Sequence, residues 1–303
     1  MAIRFLIESK NQNAYNFDYY VPLSQSQDLE ELRNFKITPE PAAVVRDKFG
    51  NSWALIQGRN VRGSTEVRVE FEMLAAESLV TFDPAVVFSE KDFPADLLVN
   101  QTSETYSFNF SHPVFARILP ALKREVAAEP NYYRKIQLIE NATNDLLRIR
   151  GPSGPESQAS EFVRQGVGRC YAHTIVFATL ARAVGIPTRA AAGMWINNNV
   201  LEVQDDPAVH TYNQVYLPGT GWIDVDAVAD DSDKEPKSNR SIGLHYTGMW
   251  RTFYGDYDRA DFQRVFTQRG WIDHFTCESV DESRKADVDA KGFVIRTEIL
   301  PAW

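Results

Sequence analysis

The chain has 303 residues, 44% hydrophobic and 24% charged, enough to bury a substantial core in one large domain or two smaller ones. Its net charge of −9 argues against nucleic acid or an anionic membrane as partner, because both recruit basic surfaces. Two cysteines, Cys170 and Cys277, cannot build a disulfide framework, and without a CxxC pair they suggest no zinc site. The opening MAIRFLIESKNQ has too short an apolar run for a secretion signal, and no stretch approaches the ~18 apolar residues of a membrane span. The expected compartment is therefore reducing and cytoplasmic.

The first ninety residues carry the period of half-buried strands. Ile3, Phe5 and Ile7 alternate in AIRFLIES, and Val67, Val69, Phe71 and Met73 alternate against charged neighbours in TEVRVEFEM. Between them, AVVRDKFGNSWALIQ places two apolar runs around Asp47 to Asn51, a hairpin signal. Such spacing predicts a small β-sandwich over residues 1–95. From about residue 96 the period changes to that of helices. HPVFARILPALKREVAAEPNYYRKIQLIENATNDLLRIR has apolar residues at helical spacing interrupted by Pro120 and Pro130, which predicts two helices. GPSGPESQ at 151–158 is a loop by its Gly and Pro content, and SEFVRQ predicts a further helix. A longer apolar helix opens at Cys170 and is stopped by Gly185-Ile186-Pro187. Strands follow in TRAAAGMWI, TYNQVYL and WIDVDAV, with Pro218 to Gly221 as a turn. DDSDKEPKSNRS is loop-like, and KGFVIRTEIL alternates as a final strand of a core spanning 96–303 with a C-terminal β extension.

A thiol at a helix N-terminus meets the positive end of the helix dipole and its unbonded N–H groups, both of which favour the nucleophilic thiolate. A buried core cysteine would read the same on position alone. What favours chemistry is His210 and Asp226 downstream, since a nucleophilic cysteine needs an imidazole to carry its proton. That imidazole in turn needs an acceptor that orients it. Gly166 and Gly168, just before the thiol, read as room for a substrate. Pairing Leu217 with Trp222 around a four-residue turn would place Asp226 opposite Asn213, on the wrong face for His210. A bulge would bring it opposite Tyr212 and within reach. Asp224 has the same parity as Asp226 and competes with it on spacing alone.

These segments resemble the core of the transglutaminase-like superfamily, papain-like thiol enzymes with a Cys-His-Asp triad. The family's G-x-C followed by a helix and G-I-P-A-R is similar to Gly168-Arg169-Cys170 and Gly185-Ile186-Pro187-Thr188-Arg189. Its H-x-W-x-E-V-Y-L, turn and G-W-x-x-V-D-P-T is similar to His210, Tyr212, Gln214 to Leu217, then Gly221-Trp222, Val225 and Asp226. The Asp47-Lys48-Phe49-Gly50-Asn51 stretch resembles the β-domain that precedes the core in many bacterial members. Tyr212 for Trp, Gln214 for Glu and Ala227-Val228 for Pro-Thr depart from the pattern. The resemblance implies an α+β protein: a β-sandwich, then a papain-like core with the nucleophile helix packed on an antiparallel sheet. It implies Cys170 as nucleophile, His210 as acid–base and Asp226 as orienting carboxylate, acting by acyl transfer on a peptide or protein without cofactor or metal.

Other residues compete for these roles. His173 lies one turn from Cys170 and reads as structural or substrate-lining, and Cys277 reads as an ordinary thiol. The Cys170 N–H would meet an oxyanion; Gln165, Tyr132 and Tyr133 are weak candidates for a second donor. The acidic run Asp224, Asp226, Asp230, Asp231, Asp233 and Glu235 lacks a calcium-loop pattern and reads as a solvated face. Hydrolysis of peptide or isopeptide bonds is the expected activity. Transamidation by amine capture, or a non-enzymatic binding scaffold, are the alternatives. Oligomeric state is not readable from the sequence.

Overall fold

The computed structural model describes residues 2–9, 14–24, 30–46, 51–75, 87, 90–149, 158–195, 204–205, 209–228, 242, 249–254, 274–279 and 293–300. The chain begins with six strands: β1 (Ala2–Ser9), β2 (Tyr15–Leu23), β3 (Glu30–Thr38), β4 (Ala43–Arg46), β5 (Ser52–Val61) and β6 (Ser64–Ala75). Their alternation does what a period of two requires: Ile3, Phe5 and Ile7 of β1 and Val67, Val69 and Phe71 of β6 are buried, and their neighbours are more exposed. β4 pairs with β5, Arg46 opposite Ser52, while residues 47–50 of the expected turn lie outside the described residues. Two sheets result, ordered β3-β6-β1 and β2-β5-β4 within their full sets. Their inner faces form one apolar cluster in which Phe5 meets Tyr19 edge to face at 5.6 Å.

Helices follow. α1 (Ala95–Thr102) leads through a short 3-10 turn at Pro113–Arg117 to α2 (Leu119–Ala128) and α3 (Tyr132–Leu146). Pro120 sits in the first turn of α2, where its missing N–H costs nothing, and the Asn131 side chain caps α3 by accepting from the Arg134 N–H at 3.0 Å. The short strand β7 (Arg148–Ile149) comes next, and the loop expected at 151–158 falls, up to residue 157, outside the described residues. Next come α4 (Ala159–Gln165), β8 (Val167–Gly168) and α5 (Cys170–Ala183).

Every residue of α5 from Ala172 to Arg182 is buried, so this helix is the core around which the domain packs. β9 (Thr188–Trp195), β10 (Gln204–Asp205), β11 (Val209–Leu217), β12 (Gly221–Val225) and β13 (Met249–Tyr254) follow. Four of them form an antiparallel sheet in the order β12-β11-β9-β13, with α5 against β11 and β9. This is the expected arrangement of a β-sandwich followed by a Cys170 helix on an antiparallel sheet. β14 (His274–Ser279) then pairs with β2, and β15 (Phe293–Leu300) pairs with both β1 and β10. Residue 95 thus marks where helices begin, while both sandwich sheets take strands from the last third of the chain. No helix among the described residues is long and apolar enough to cross a membrane.

The far end of α5 is held by a buried guanidinium. Arg182 donates to the Thr188 carbonyl at 3.0 Å, the Ser103 carbonyl at 3.1 Å and Gln101 Oε1 at 2.9 Å, and lies 4.4 Å from the centre of the Phe108 ring. One buried and two part-buried acceptors would lose a charged donor in Arg182→Leu. Urea unfolding should record a loss of about 2–4 kcal/mol, from the unmade bonds and the lost packing. A loss under about 0.5 kcal/mol would show that the guanidinium does not hold α5 in place.

Candidate active site

Cys170 is the first residue of α5, preceded by Arg169 in an extended conformation, so the thiol sits where the helix dipole is positive. The glycines before it each answer a constraint within the chain. Gly166, at φ 66°, ends α4 in the left-handed region, and a Cβ on Gly168 would fall 2.2 Å from the Cβ of Ala172 in the first turn of α5.

β11 supplies two faces. Thr211 and Asn213 point toward α5: the Thr174 hydroxyl donates to Thr211 Oγ1 at 3.1 Å, and Asn213 Nδ2 donates to the Thr174 carbonyl at 3.0 Å. His210, Tyr212 and Gln214 occupy the other face, with the Tyr212 ring nearly parallel to the imidazole at 6.4 Å. The turn to β12 is one residue shorter than the sequence suggests. The Thr220 N–H donates to the Leu217 carbonyl at 3.0 Å, Gly219 takes φ 80° after Pro218, and Leu217 pairs with Gly221. Asn213 then faces Val225, and Asp226 falls on the His210 side with no bulge. The four-residue turn with Leu217 opposite Trp222 is corrected accordingly; a residue pair read across a turn depends on which turn type closes it.

His210 Nε2 and Asp226 Oδ2 are 2.8 Å apart, and Asp226 Oδ1 accepts from the Val228 N–H at 3.1 Å. Nδ1 is thus the ring nitrogen left to face the Cys170 thiol, whose titration His210 lowers. Thr211, next to His210 on β11, also lowers the thiol's titration. The three residues singled out by the sequence therefore lie together, Cys170 partly exposed and Asp226 buried. Asp224 lies elsewhere: it accepts from Gln214 Nε2 at 2.7 Å, Gln214 Oε1 accepts from Arg189 at 2.8 Å, and Arg189 lies 4.2 Å from the centre of the Trp222 ring. The glutamine where the family pattern has glutamate thus bridges Arg189 to Asp224.

The remaining candidates are placed as follows. His173 is fully buried with Nδ1 3.1 Å from the Arg169 carbonyl, a structural position. The Tyr132 hydroxyl donates to the Tyr216 carbonyl, six residues along β11 from His210, and Tyr133 packs on the core. Gln165 is exposed at the end of α4. Cys277 lies in β14 opposite Phe17, in the sandwich. Asp230, Asp231, Asp233 and Glu235 fall outside the described residues, among which no cluster of three or more His, Cys, Asp or Glu side chains could hold a metal ion. Thr174 and Thr211 were not singled out by the sequence; the signal was the i, i+4 spacing of Thr174 from Cys170.

Burial is the largest influence on the Cys170 thiol and works against ionisation, yet the bonds from His210 and Thr211 and the imidazolium charge outweigh it and hold the thiol below its ordinary value. Burial likewise disfavours charge on His210, but the Asp226 and Cys170 interactions prevail and push it up to about 10. Between the two titrations the pair is thiolate and imidazolium, and the protons belong to the pair rather than to either residue.

The fold and site define the class: an α+β protein whose core sets a cysteine at a helix N-terminus against a histidine–carboxylate pair on an antiparallel sheet. Residues 120–227 match the family model of the transglutaminase-like superfamily. The crystal structure of a candidate cysteine protease from Cytophaga hutchinsonii superposes with a TM-score of 0.53 at 14% identity, over 93% of this chain and 92% of that one, and so shares the fold along nearly its full length. The periplasmic domain of TgpA from Pseudomonas aeruginosa, bound to ethylmercury, is 12% identical over 74% of this chain and 88% of that one, with a TM-score of 0.39. Red sea bream transglutaminase is 12% identical over 77% of this chain and 46% of that one, with a TM-score of 0.28. No curated protein matches the chain significantly.

Two measurements check this electrostatic arrangement. Because the Cys170 titration is shifted down, iodoacetamide should modify it at pH ~6, where a thiol of pKa ~8.5 is under about one per cent ionised. Equal labelling of Cys170 and Cys277, both rising only above pH ~8, would remove the ion pair. In Asp226→Asn the main raising influence on His210 is gone, so its imidazole should titrate more than about one pH unit below the wild-type value by NMR. Asp224→Asn should leave that titration unmoved; the reverse outcome would overturn the register.

Proposed function

We propose that the protein is a thiol-dependent acyl-transfer enzyme that hydrolyses peptide or isopeptide bonds, with Cys170 as nucleophile, His210 as acid–base and Asp226 as the orienting carboxylate. The observation that carries this reading is the His210–Asp226 pair, 2.8 Å apart, beside a partly exposed thiol at a helix N-terminus. The Cys170 thiolate attacks the carbonyl carbon, forming the S–C bond and placing the electron pair on oxygen. The Cys170 N–H at the start of α5 is oriented to meet that oxyanion. As the tetrahedral species collapses, the C–N bond breaks and the imidazolium passes its proton to the leaving amine. Neutral His210 then takes a proton from water, which attacks the thioester and releases acid and thiolate. Asp226 keeps the ring in the orientation both steps need, and its negative charge stabilises the imidazolium each time it forms.

Hydrolysis is favoured over amine transfer because a transferase must bind its amine and keep water from the thioester. Among the described residues, the polar groups where β11 meets α5 are the hydroxyls of Thr174 and Thr211 and the amide of Asn213 rather than acids. The test is a glutamine- and lysine-containing peptide library followed by mass, with and without a labelled primary amine. Expected are cleavage products, a minor share of amine adduct and no effect of chelator; Cys170→Ala should abolish turnover. Predominant amine incorporation, or activity that disappears with chelator, would replace the hydrolase reading with transamidation. Peptide turnover undiminished in Cys170→Ala would end the thiol mechanism.

A further inference from the structure

Arg189 on β9, Gln214 on β11 and Asp224 on β12 stand opposite one another in a single row across three strands, on the face of the sheet that carries His210. Gln214 and Asp224 are each 1% exposed. The amide is bonded at both ends: Gln214 Oε1 accepts from Arg189 Nε at 2.8 Å, and its Nε2 donates to Asp224 Oδ1 at 2.7 Å. A guanidinium only donates and a carboxylate only accepts, so the amide has one orientation that satisfies both. A glutamate here, as in the family pattern, would set two buried carboxylates against each other; glutamine supplies the donor that Asp224 takes. The Arg189 guanidinium also lies 4.2 Å from the centre of the Trp222 ring, two residues before Asp224, so it rests on β12 beyond the amide.

This row opposes any movement of β12 along β11. A slip of one residue would put Ile223 or Val225 opposite Gln214 and turn Asp224 toward α5, into the apolar cluster that holds Ile223 and Val225. The carboxylate would then be buried among apolar groups, and the amide and guanidinium would lose their partners. Asp226 inherits the same register. It follows Val225, the last residue of β12, and its Oδ2 lies 2.8 Å from His210 Nε2.

We infer that Gln214 is a positioning residue for the reacting centre: by tying Arg189 to Asp224 across three strands, it holds β12 in the register that delivers Asp226 to His210. The inference rests on His210 and Asp226 being the acid–base pair of the proposed enzyme. Without the tie, the end of β12 gains freedom and the carboxylate meets the imidazole for a smaller fraction of the time. Burial disfavours charge on His210 and the Asp226 bond is the main influence opposing it, so the titration of the ring reports that fraction. The charged and titratable groups on the elements that meet at the ring are Cys170 and His173 on α5, Arg169 before it, and Asp226 after β12. Arg189 and Asp224 lie in the row four residues along β11, about 13 Å away at ~3.3 Å per residue. None of them changes in Gln214→Leu, which is also neutral.

The experiment is the NMR titration of His210 in the whole chain, for wild type, Gln214→Leu, Asp226→Asn and the double variant Gln214→Glu with Asp224→Asn, with urea unfolding recorded for each. Gln214→Leu should lower the His210 midpoint by about half a pH unit or more, part of the way to Asp226→Asn. The double variant exchanges acid and amide between β11 and β12, keeping the net charge and a donor facing an acceptor at each contact. It should return to within about 0.3 pH unit of wild type. Gln214→Asn, a methylene too short to reach both partners, should shift the midpoint in the same direction by less, and carries the test if Gln214→Leu does not fold.

A side chain that only stabilises the fold would lower the urea midpoint and leave the titration in place. An unmoved titration in a folded Gln214→Leu, or a double variant as low as Gln214→Leu, would overturn the inference. An unmoved titration in Asp226→Asn would instead end the His210–Asp226 pair on which the proposed function stands, so the two failures are distinguishable.

Discussion

Asp226 meets His210 because Leu217 pairs with Gly221. Side chains on a strand alternate sides at every residue, so a slip of one position between β11 and β12 would carry the carboxylate to the opposite face of the sheet. The Pro218-Gly219 turn removes that freedom, and the same register sets Gln214 against Asp224. The neighbouring carboxylate is thereby committed to a glutamine and an arginine. Two aspartates of equal parity are separated into different roles by what stands opposite them, not by their own chemistry.

The other half of the site is set by α5. A helix buried on all sides cannot tilt or slide without disturbing every contact it makes, and Arg182 fixes its far end to the residues around α1. The thiol at its near end is therefore held on a rigid element rather than on a loop. Burial alone would keep Cys170 and His210 neutral. Ionisation is restored by partners placed on both faces of β11 and by Asp226 behind the ring. The cost of desolvating a charge pair is thus met by hydrogen bonds whose donors and acceptors are themselves fixed by backbone.

Much of this was legible in the residues. Alternation in AIRFLIES and TEVRVEFEM, the hairpin after Arg46, the helix opened by Cys170 and the strand around His210 all correspond to elements at the expected places. These signals are local, and local periodicity is what a sequence displays directly. Less visible was anything set by pairing. YNFDYYVPL also alternates, with Tyr15, Phe17, Tyr19 and Val21 buried, but its dense aromatic residues blur the contrast between faces. The partner residues of β12 are not legible in composition, because turn type sets register. Thr174 and Thr211 are ordinary residues for a helix and a strand, and only their meeting across the α5–β11 contact makes them part of the site. The glycines before Cys170 were visible, but their reason lies in a Cβ-to-Cβ distance no sequence prints.

The placement of β15 has a consequence for how this chain comes to its fold. β1 lies between β6 and β15, with Ala2 opposite Leu300 and Ser9 opposite Phe293. During synthesis β1 and β6 are available early, yet one edge of β1 stays open until β15, far along the sequence, has emerged. An open edge with buried-type side chains such as Ile3, Phe5 and Ile7 is a template for pairing with another chain. Closing it late carries a high loop-closure entropy, which slows folding relative to a domain built from neighbouring strands. β15 is therefore a latch on the first sheet, and the interval before it closes is when a nascent chain is most exposed to mispairing.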